Sequence, residues 1–366
     1  MTNKNLGIYI HIPFCKARCA YCNFVSTADL SLRDAYIDAL LEEIPNRAFE
    51  FCDYTVDTMY IGGGTPTSLQ SGDLTRIINR IKDCFNLNLS EFTVECNPES
   101  FENKAEELKG IGVTRLSFGV QSTNDTTLKR IGRLHDRDTA LRALETSLFV
   151  TDNVSADIML DLPSETLADV EHTLNDLADK VKHISAYALT VEDNTPMRKS
   201  GYVTDDDLER SMYDATRETL ANKSFNRYEV SNFARKGYEC RHNLKYWKMD
   251  EYLGLGVAAH SYCNGIRYAE TDCIEDYIDG KPRTVIERTA TDAENEFIML
   301  SLRLDEGLPF KKFKELFGID FVNGREDALK RLNKCLDISN ERVKISDEYV
   351  YVGNAIIAEL LKPKDV

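Results

Sequence analysis

The chain has 366 residues, 42% of them hydrophobic and 29% charged, enough for one large domain and a smaller one. A net charge of −16 argues against a nucleic-acid binder or a protein that adheres to anionic membranes, because phosphate contacts need clustered Lys and Arg. No apolar run approaches the roughly 20 residues that cross a bilayer, no leader pattern is found, and ten cysteines without paired spacing fit a reducing compartment, so a cytoplasmic location is expected.

The first predicted element is the apolar run 6–12, read as a buried strand. It delivers Cys15-Lys-Ala-Arg-Cys19-Ala-Tyr-Cys22, three thiolates within eight residues. Four cysteines would saturate a 4Fe-4S cluster, and four Cys/His ligands would close a zinc tetrahedron; three thiolates leave one metal with an open position. A structural zinc site completed by His11 or a distant cysteine is the competing reading. No second CxxC or HxxxH pair supports it, and Cys52, Cys84, Cys96, Cys240, Cys263, Cys273 and Cys335 are scattered singly.

Short β-rich runs follow at 56–62, 91–96, 113–119, 153–160 and 183–190, separated by segments of helical period at 32–51, 74–84, 137–149 and 166–181. The alternation predicts a parallel sheet, and the lack of GxGxxG at the first turn favours a partial or full (β/α) barrel over a doubly wound sheet. Barrel sites lie at the C-terminal ends of strands. Here those ends carry Gly62-Gly63-Gly64-Thr65-Pro66, Glu95-Cys96-Asn97-Pro98, Gly119-Val120-Gln121, Asp157 and Ser185-Ala186-Tyr187. Three glycines after a strand let backbone approach a small molecule, and with no GKS or GKT after them they are not a phosphate loop. Glu95, Gln121, Arg133 and Asp157 would either bind a polar cofactor or pair with one another, Arg133 with Glu95 for instance.

Beyond Tyr202 the pattern changes to a charged helix at 205–222 and an aromatic, glycine-rich stretch at 228–268. Helices at 293–304, 309–317 and 325–334 and strands at 343–345 and 349–352, then a last helix, predict a small winged-helix-like module without a basic recognition helix. The expected units are 1–225, 226–285 and 286–366. In the segment 241–247, His242 stands with Asn243, Tyr246 and Trp247. An imidazole beside flat aromatic surface suits a porphyrin whose iron takes an axial histidine, or else it is a satisfied core histidine. His260 carries the same choice.

Together the three-cysteine loop, Gly62–Pro66, Glu95–Pro98, Phe118-Gly-Val-Gln121, the 128–135 segment and His183-Ile-Ser-Ala-Tyr187 resemble the radical S-adenosylmethionine superfamily. Within it they resemble the branch of oxygen-independent coproporphyrinogen oxidase and its heme-chaperone relatives. The resemblance implies an α/β fold: a partial (β/α)6 TIM-like barrel with a smaller C-terminal α+β domain. It further implies that Cys15, Cys19 and Cys22 hold a 4Fe-4S cluster whose fourth iron is chelated by S-adenosylmethionine. Tyr9, Phe24, Gly63, Gly64, Thr65, Glu95, Gln121, Arg133 and Asp157 would then line the S-adenosylmethionine pocket, and His242 would belong to a heme site.

Three features favour the chaperone relatives. Phe24 stands where the oxidase has an additional cysteine, the first cluster cysteine comes at position 15 without the oxidase's long preceding segment, and 242–247 reads HNxxYW. The expected function is binding heme and passing it to acceptor hemoproteins, with a reducing electron donor as a further partner. The alternatives are oxidative decarboxylation of porphyrinogen propionates and radical methyl transfer to heme. One departure stands out: Asp161-Leu-Pro-Ser164 replaces the usual Gly-Leu-Pro-Gly turn after the fifth strand.

Overall fold

The computed structural model describes residues 4–362. Six strands pair in parallel in chain order: β1 (Lys4–Ile12), β2 (Tyr54–Gly63), β3 (Leu87–Cys96), β4 (Arg115–Gln121), β5 (Val154–Leu160) and β6 (His183–Ala188). Parallel strands need crossovers, and the expected helices supply them at Arg33–Ala48, Asp73–Cys84, Arg137–Ser147 and Leu167–Ala178. Shorter helices at Pro98–Phe101, Ala105–Ile111 and Asp125–Arg130 escape the periodicity because each spans fewer than two or so turns.

Side chains alternate across these strands. One face is apolar: Ile8 and Ile10, Met59 and Ile61, Phe92 and Val94, Leu116 and Phe118 are all buried in one core with the helices. The opposite face is polar. Tyr9 pairs in register with Tyr60, Tyr60 with Thr93 and Thr93 with Arg115, while Glu95 pairs with Ser117, Ser117 with Ser155 and Ser155 with His183. The α/β parallel architecture expected from the sequence is present, and its inner wall carries hydroxyls, carboxylates and one arginine.

Residues 226–285 do not stand apart from this sheet. β7 (Asn226–Arg227) and β8 (Asn232–Ala234) extend it antiparallel beyond β6, while β9 (Tyr252–Leu255) runs parallel to β1 on the other flank. β10 (His260–Cys263), β11 (Ile266–Ala269) and β12 (Thr284–Ile286) continue outward, giving a 12-stranded sheet among the described residues. Strands of two to four residues have no readable period, so sequence alone shows only a connecting region.

The C-terminal part opens with a helix at Ala290–Ser301, begun by a capping box between Thr289 and Asp292. β13 (Leu308–Pro309), β14 (Leu336–Ile338) and β15 (Arg342–Ile345) form a separate antiparallel sheet in the order β13-β15-β14. Here the expected second strand at 349–352 is corrected. Those residues lie in a 3-10 turn, Asp347–Val352, while β15 takes β14 as its partner because the Ser339 amide and the Arg342 carbonyl close the turn between them at 2.9 Å.

Candidate functional site at the C-terminal ends of the strands

The cysteine loop is pinned at its base. The Cys15 amide donates to Thr27 O at 2.9 Å and the Thr27 amide to Pro13 O at 2.7 Å, so the chain leaves β1 and returns to it. His11 fixes the return: one ring nitrogen is 2.9 Å from Val25 O and the other 3.0 Å from the Tyr9 hydroxyl. Cys15 is buried and Cys19 and Cys22 are partly exposed, with the Cys22 amide donating to Cys19 O at 3.2 Å. Thr65 Oγ1 donates to Cys15 Sγ at 3.4 Å, and Arg133 Nη1 to Cys19 Sγ at 3.5 Å. Burial pushes the Cys15 thiol up.

The glycines lie directly below. Gly63 has φ 108°, and a Cβ there would meet the His11 ring at 2.5 Å. A Cβ on Gly62 would lie 2.7 Å from the Glu95 carboxyl, and one on Gly64 would lie 3.0 Å from Cys15 Sγ and 2.9 Å from two backbone carbonyls. Bare backbone is therefore a steric requirement between the cysteine loop and β3. Glu95 accepts from the Tyr60 hydroxyl at 2.8 Å and the Gly63 amide at 3.0 Å, and burial pushes its carboxyl up to about 7. Asp157, bonded to Ser117, is also raised by burial.

Arg133 does not pair with Glu95. It donates to Asn97 Oδ1 at 2.8 Å, to Gly119 O and to Cys19 Sγ. Gln121 closes β4 in a left-handed conformation, φ 70°, where the register with β5 shifts. Phe24 is 68% exposed on the cysteine loop. Thus Cys15, Cys19, Gly63, Gly64, Thr65, Glu95 and Arg133 are drawn together, Tyr9 stands beside His11, and Gln121 and Asp157 occupy the neighbouring strands.

His242 lies toward the other end of the sheet. Its helix, Arg241–Trp247, is capped by Glu91, four residues before Glu95 on β3: the carboxylate accepts the Arg241 amide at 2.9 Å and the His242 amide at 3.0 Å. The His242 ring is wholly buried, with Nδ1 3.0 Å from Thr58 Oγ1 and Nε2 2.8 Å from the Tyr246 hydroxyl. Burial lowers its pKa to about 3. Lys245 pairs with Asp57 at 2.8 Å, and Cys240 and Tyr228 continue the same layer toward His183. The HNxxYW segment therefore closes the N-terminal end of the strands.

The profile of the Radical SAM superfamily matches residues 9–177, and that of the HemN C-terminal domain matches 289–352. A curated relative from Bacillus subtilis, named heme chaperone HemW, is 34% identical over 96% of this chain and 98% of its own. Relatives of the same name from Lactococcus lactis and Escherichia coli are 31% and 32% identical, over 99% and 91% of this chain and 98% and 93% of their own.

The chain belongs to the HemW family of radical SAM proteins.

The solved structure of Escherichia coli coproporphyrinogen III oxidase, HemN, shares the fold of this HemW-family chain. Its TM-score is 0.86 over 98% of this chain and 91% of that one, at 21% identity. Among the described residues no three His, Cys, Asp or Glu side chains converge on a point where they would hold one metal ion. A 4Fe-4S cube gives each thiolate its own iron, so its ligands need no common point. The two donors aimed at sulfur fit such a cluster. Sequence reasoning missed Thr58, Glu91, Arg115 and Tyr228 and named His183 only within a motif, without a role; all are set within or beneath the polar inner wall. Arg115 is 1% exposed, and its Nε and Nη1 have no protein partner. The signal was present as charged residues inside runs that otherwise read as apolar strands.

Proposed function

We propose that this protein is a heme chaperone: Cys15, Cys19 and Cys22 hold a 4Fe-4S cluster that binds S-adenosylmethionine, and the protein binds heme and delivers it to acceptor hemoproteins. The near full-length likeness to relatives named heme chaperone HemW carries this reading. When bound and reduced by a donor protein, such a cluster supplies single electrons. The chain's own contributions are separate from that chemistry. Thr65 and Arg133 donate to the Cys15 and Cys19 sulfurs and so stabilise thiolate charge. The glycines let β2 pass closely between the cysteine loop and β3, and Glu95 and Asp157 offer carboxylates whose burial favours a cationic or hydrogen-bonding partner. No helix among the described residues is long and apolar enough to cross a membrane, and we place the protein in the cytoplasm.

The test is anaerobic reconstitution followed by iron, sulfide and S-adenosylmethionine binding, hemin titration, transfer to an apo-hemoprotein, and assay with coproporphyrinogen. Stoichiometric heme uptake and transfer without porphyrinogen turnover is expected. Decarboxylation without heme uptake would assign the protein to the oxidase class instead.

A further inference from the structure

We propose that the outer surface of the cysteine loop, ringed by Arg18, Lys129, Arg130 and Lys199, is the landing site of an acidic electron-carrier protein. The inference rests on the cluster reading and names where the reducing partner docks. Three segments meet there. The Ala20 amide donates to Ile131 O at 2.9 Å, and the Met197 amide donates to Ala20 O at 2.9 Å. The loop is thus held by the chain that follows the helix Asp125–Arg130 and by the short helix Pro196–Lys199. Beneath them Leu128, Ile131, Leu162, Leu189 and Met197 form a small apolar cluster of their own, against which Ala20 and Tyr21 pack. The three segments therefore present one fixed surface.

The charge of that surface is unlike the rest of the chain. In 16–22, 128–133 and 192–199 the acidic residues are Glu192 and Asp193 alone, whereas over the whole chain Asp and Glu outnumber Lys and Arg by 61 to 45. Arg198 takes up Asp193 at 3.3 Å. Arg18, Lys129, Arg130 and Lys199 are exposed, and none has a carboxylate partner among the described residues; Arg18 donates to Cys22 O at 3.2 Å and Arg130 to the Ser164 hydroxyl. On the outer helices, by contrast, Arg137 is matched by Asp176, Lys180 by Glu145 and Lys223 by Asp179. Unmatched cations side by side repel one another, and an acidic surface laid over them relieves that repulsion. A net charge of −16 turns an acidic partner away from most of the molecule, so the same patch sets its orientation. A nucleic acid or an anionic membrane would meet the repulsion of the remaining surface over a larger footprint, which favours a compact protein.

The patch also lies over a cluster ligand. Gly132, exposed and at φ 79°, rests on the loop: a Cβ there would be 3.8 Å from Cys19 Cα and 3.7 Å from Ala20 N. A glycine is the thinnest cover a chain can offer. Electron transfer weakens steeply with the thickness of protein between two redox groups, and a carrier seated on Gly132 stands close to the Cys19 ligand. In the step itself the carrier gives up one electron and the cluster takes it; no bond forms or breaks.

The experiment uses the full-length, anaerobically reconstituted protein, with flavodoxin, an acidic FMN protein, as the probe. Wild type is compared with Lys129→Glu/Lys199→Glu and with Lys311→Glu/Lys330→Glu, which makes the same change of net charge at exposed positions of the C-terminal part. Calorimetry measures binding of oxidised flavodoxin. Absorbance follows cluster reduction by reduced flavodoxin and by dithionite, a small reductant that needs no docking. The Lys129/Lys199 variant is expected to bind flavodoxin and accept its electrons at least about tenfold less well at low salt, with the gap closing near about 0.5 M salt. Its iron content, dithionite reduction and unfolding midpoint should equal those of the wild type, and the C-terminal variant should lose less than about twofold. The inference is overturned if the Lys129/Lys199 variant keeps the wild-type affinity and rate, if both variants lose equally, or if flavodoxin fails on a wild type that dithionite reduces. Loss of binding to phosphatidylglycerol vesicles in the Lys129/Lys199 variant, with its flavodoxin reduction intact, would assign the patch to a membrane surface instead. If dithionite finds no reducible cluster in the wild type, the cluster reading itself falls, so the two failures are distinguishable.

Discussion

The Glu91 carboxylate accepts the backbone N–H of His242 at 3.0 Å, across 151 positions of sequence. It also accepts the Arg241 amide and lies 3.5 Å from Cys240 Sγ. A seven-residue helix cannot hold itself in water, so this contact, with Thr58 and Asp57 on β2, is what fixes the HNxxYW segment.

Glu91→Ala should therefore destabilise the protein by about 2–3 kcal/mol, since it removes a charged acceptor from two buried amides. Glu91→Gln, which keeps one acceptor oxygen, should cost roughly half as much. Urea unfolding measures both; an unchanged midpoint for the alanine variant would show that the cap does not hold the helix.

His242 and His183 both have pKa values depressed by burial, His242 to about 3. Such a base gains its proton in the unfolded chain near pH 6.5 but not in the folded one, so stability is complete above about 6.5 and declines on acidification toward 3. The stability of His242→Gln, although lower at pH 7, should fall less steeply between pH 6.5 and 4. Equal slopes would place the titrating groups elsewhere.

Glu95 runs the other way. Its carboxyl is raised to about 7, so the folded state favours the protonated form and the burial cost grows as pH rises from about 4.5 to 7, then levels off. Glu95→Gln should gain on the wild type across that window and hold a constant margin above pH 8. Denaturant midpoints at pH 5, 6, 7 and 8 give the comparison, and a margin independent of pH would contradict it.

The turn after β5 keeps the backbone of a glycine turn without its glycines: Asp161 has φ 60° and Ser164 φ 64°. Ser164→Gly should stabilise by at most about 1 kcal/mol, since relief of the left-handed strain is partly offset by loss of the exposed hydrogen bond its hydroxyl accepts from Arg130. Asp161→Gly should gain little, because the Asp161 carboxylate accepts the Asp205 amide at 2.7 Å and the Tyr202 hydroxyl at 3.2 Å, contacts the variant loses. A thermal-melting comparison in which Asp161→Gly stabilises more than Ser164→Gly would refute this.

The parallel strands and the cysteine loop were legible because each strand is a short apolar run and each strand end breaks into a chemically distinctive turn. The inner wall was harder to read, since Thr58, Glu91 and Arg115 are isolated polar letters whose partners lie on other strands or far along the chain. Sequence placed His242 among aromatics correctly but had no means of telling a ring with both nitrogens engaged from one open to a ligand. The stretch 349–352 alternates like a strand, yet its i to i+3 hydrogen bond, Tyr349 N to Ser346 O at 2.8 Å, turns it into 3-10 helix. The left-handed conformations at 161 and 164 were legible only through the family resemblance, as places where glycine is usual, because Asp and Ser are not the letters that mark that conformation.

With the HNxxYW segment seated beneath the strands, the polar interior is a well rather than a tunnel. Its floor is the helix that Glu91 holds, and its mouth lies on the side of the cysteine loop, where the strands end.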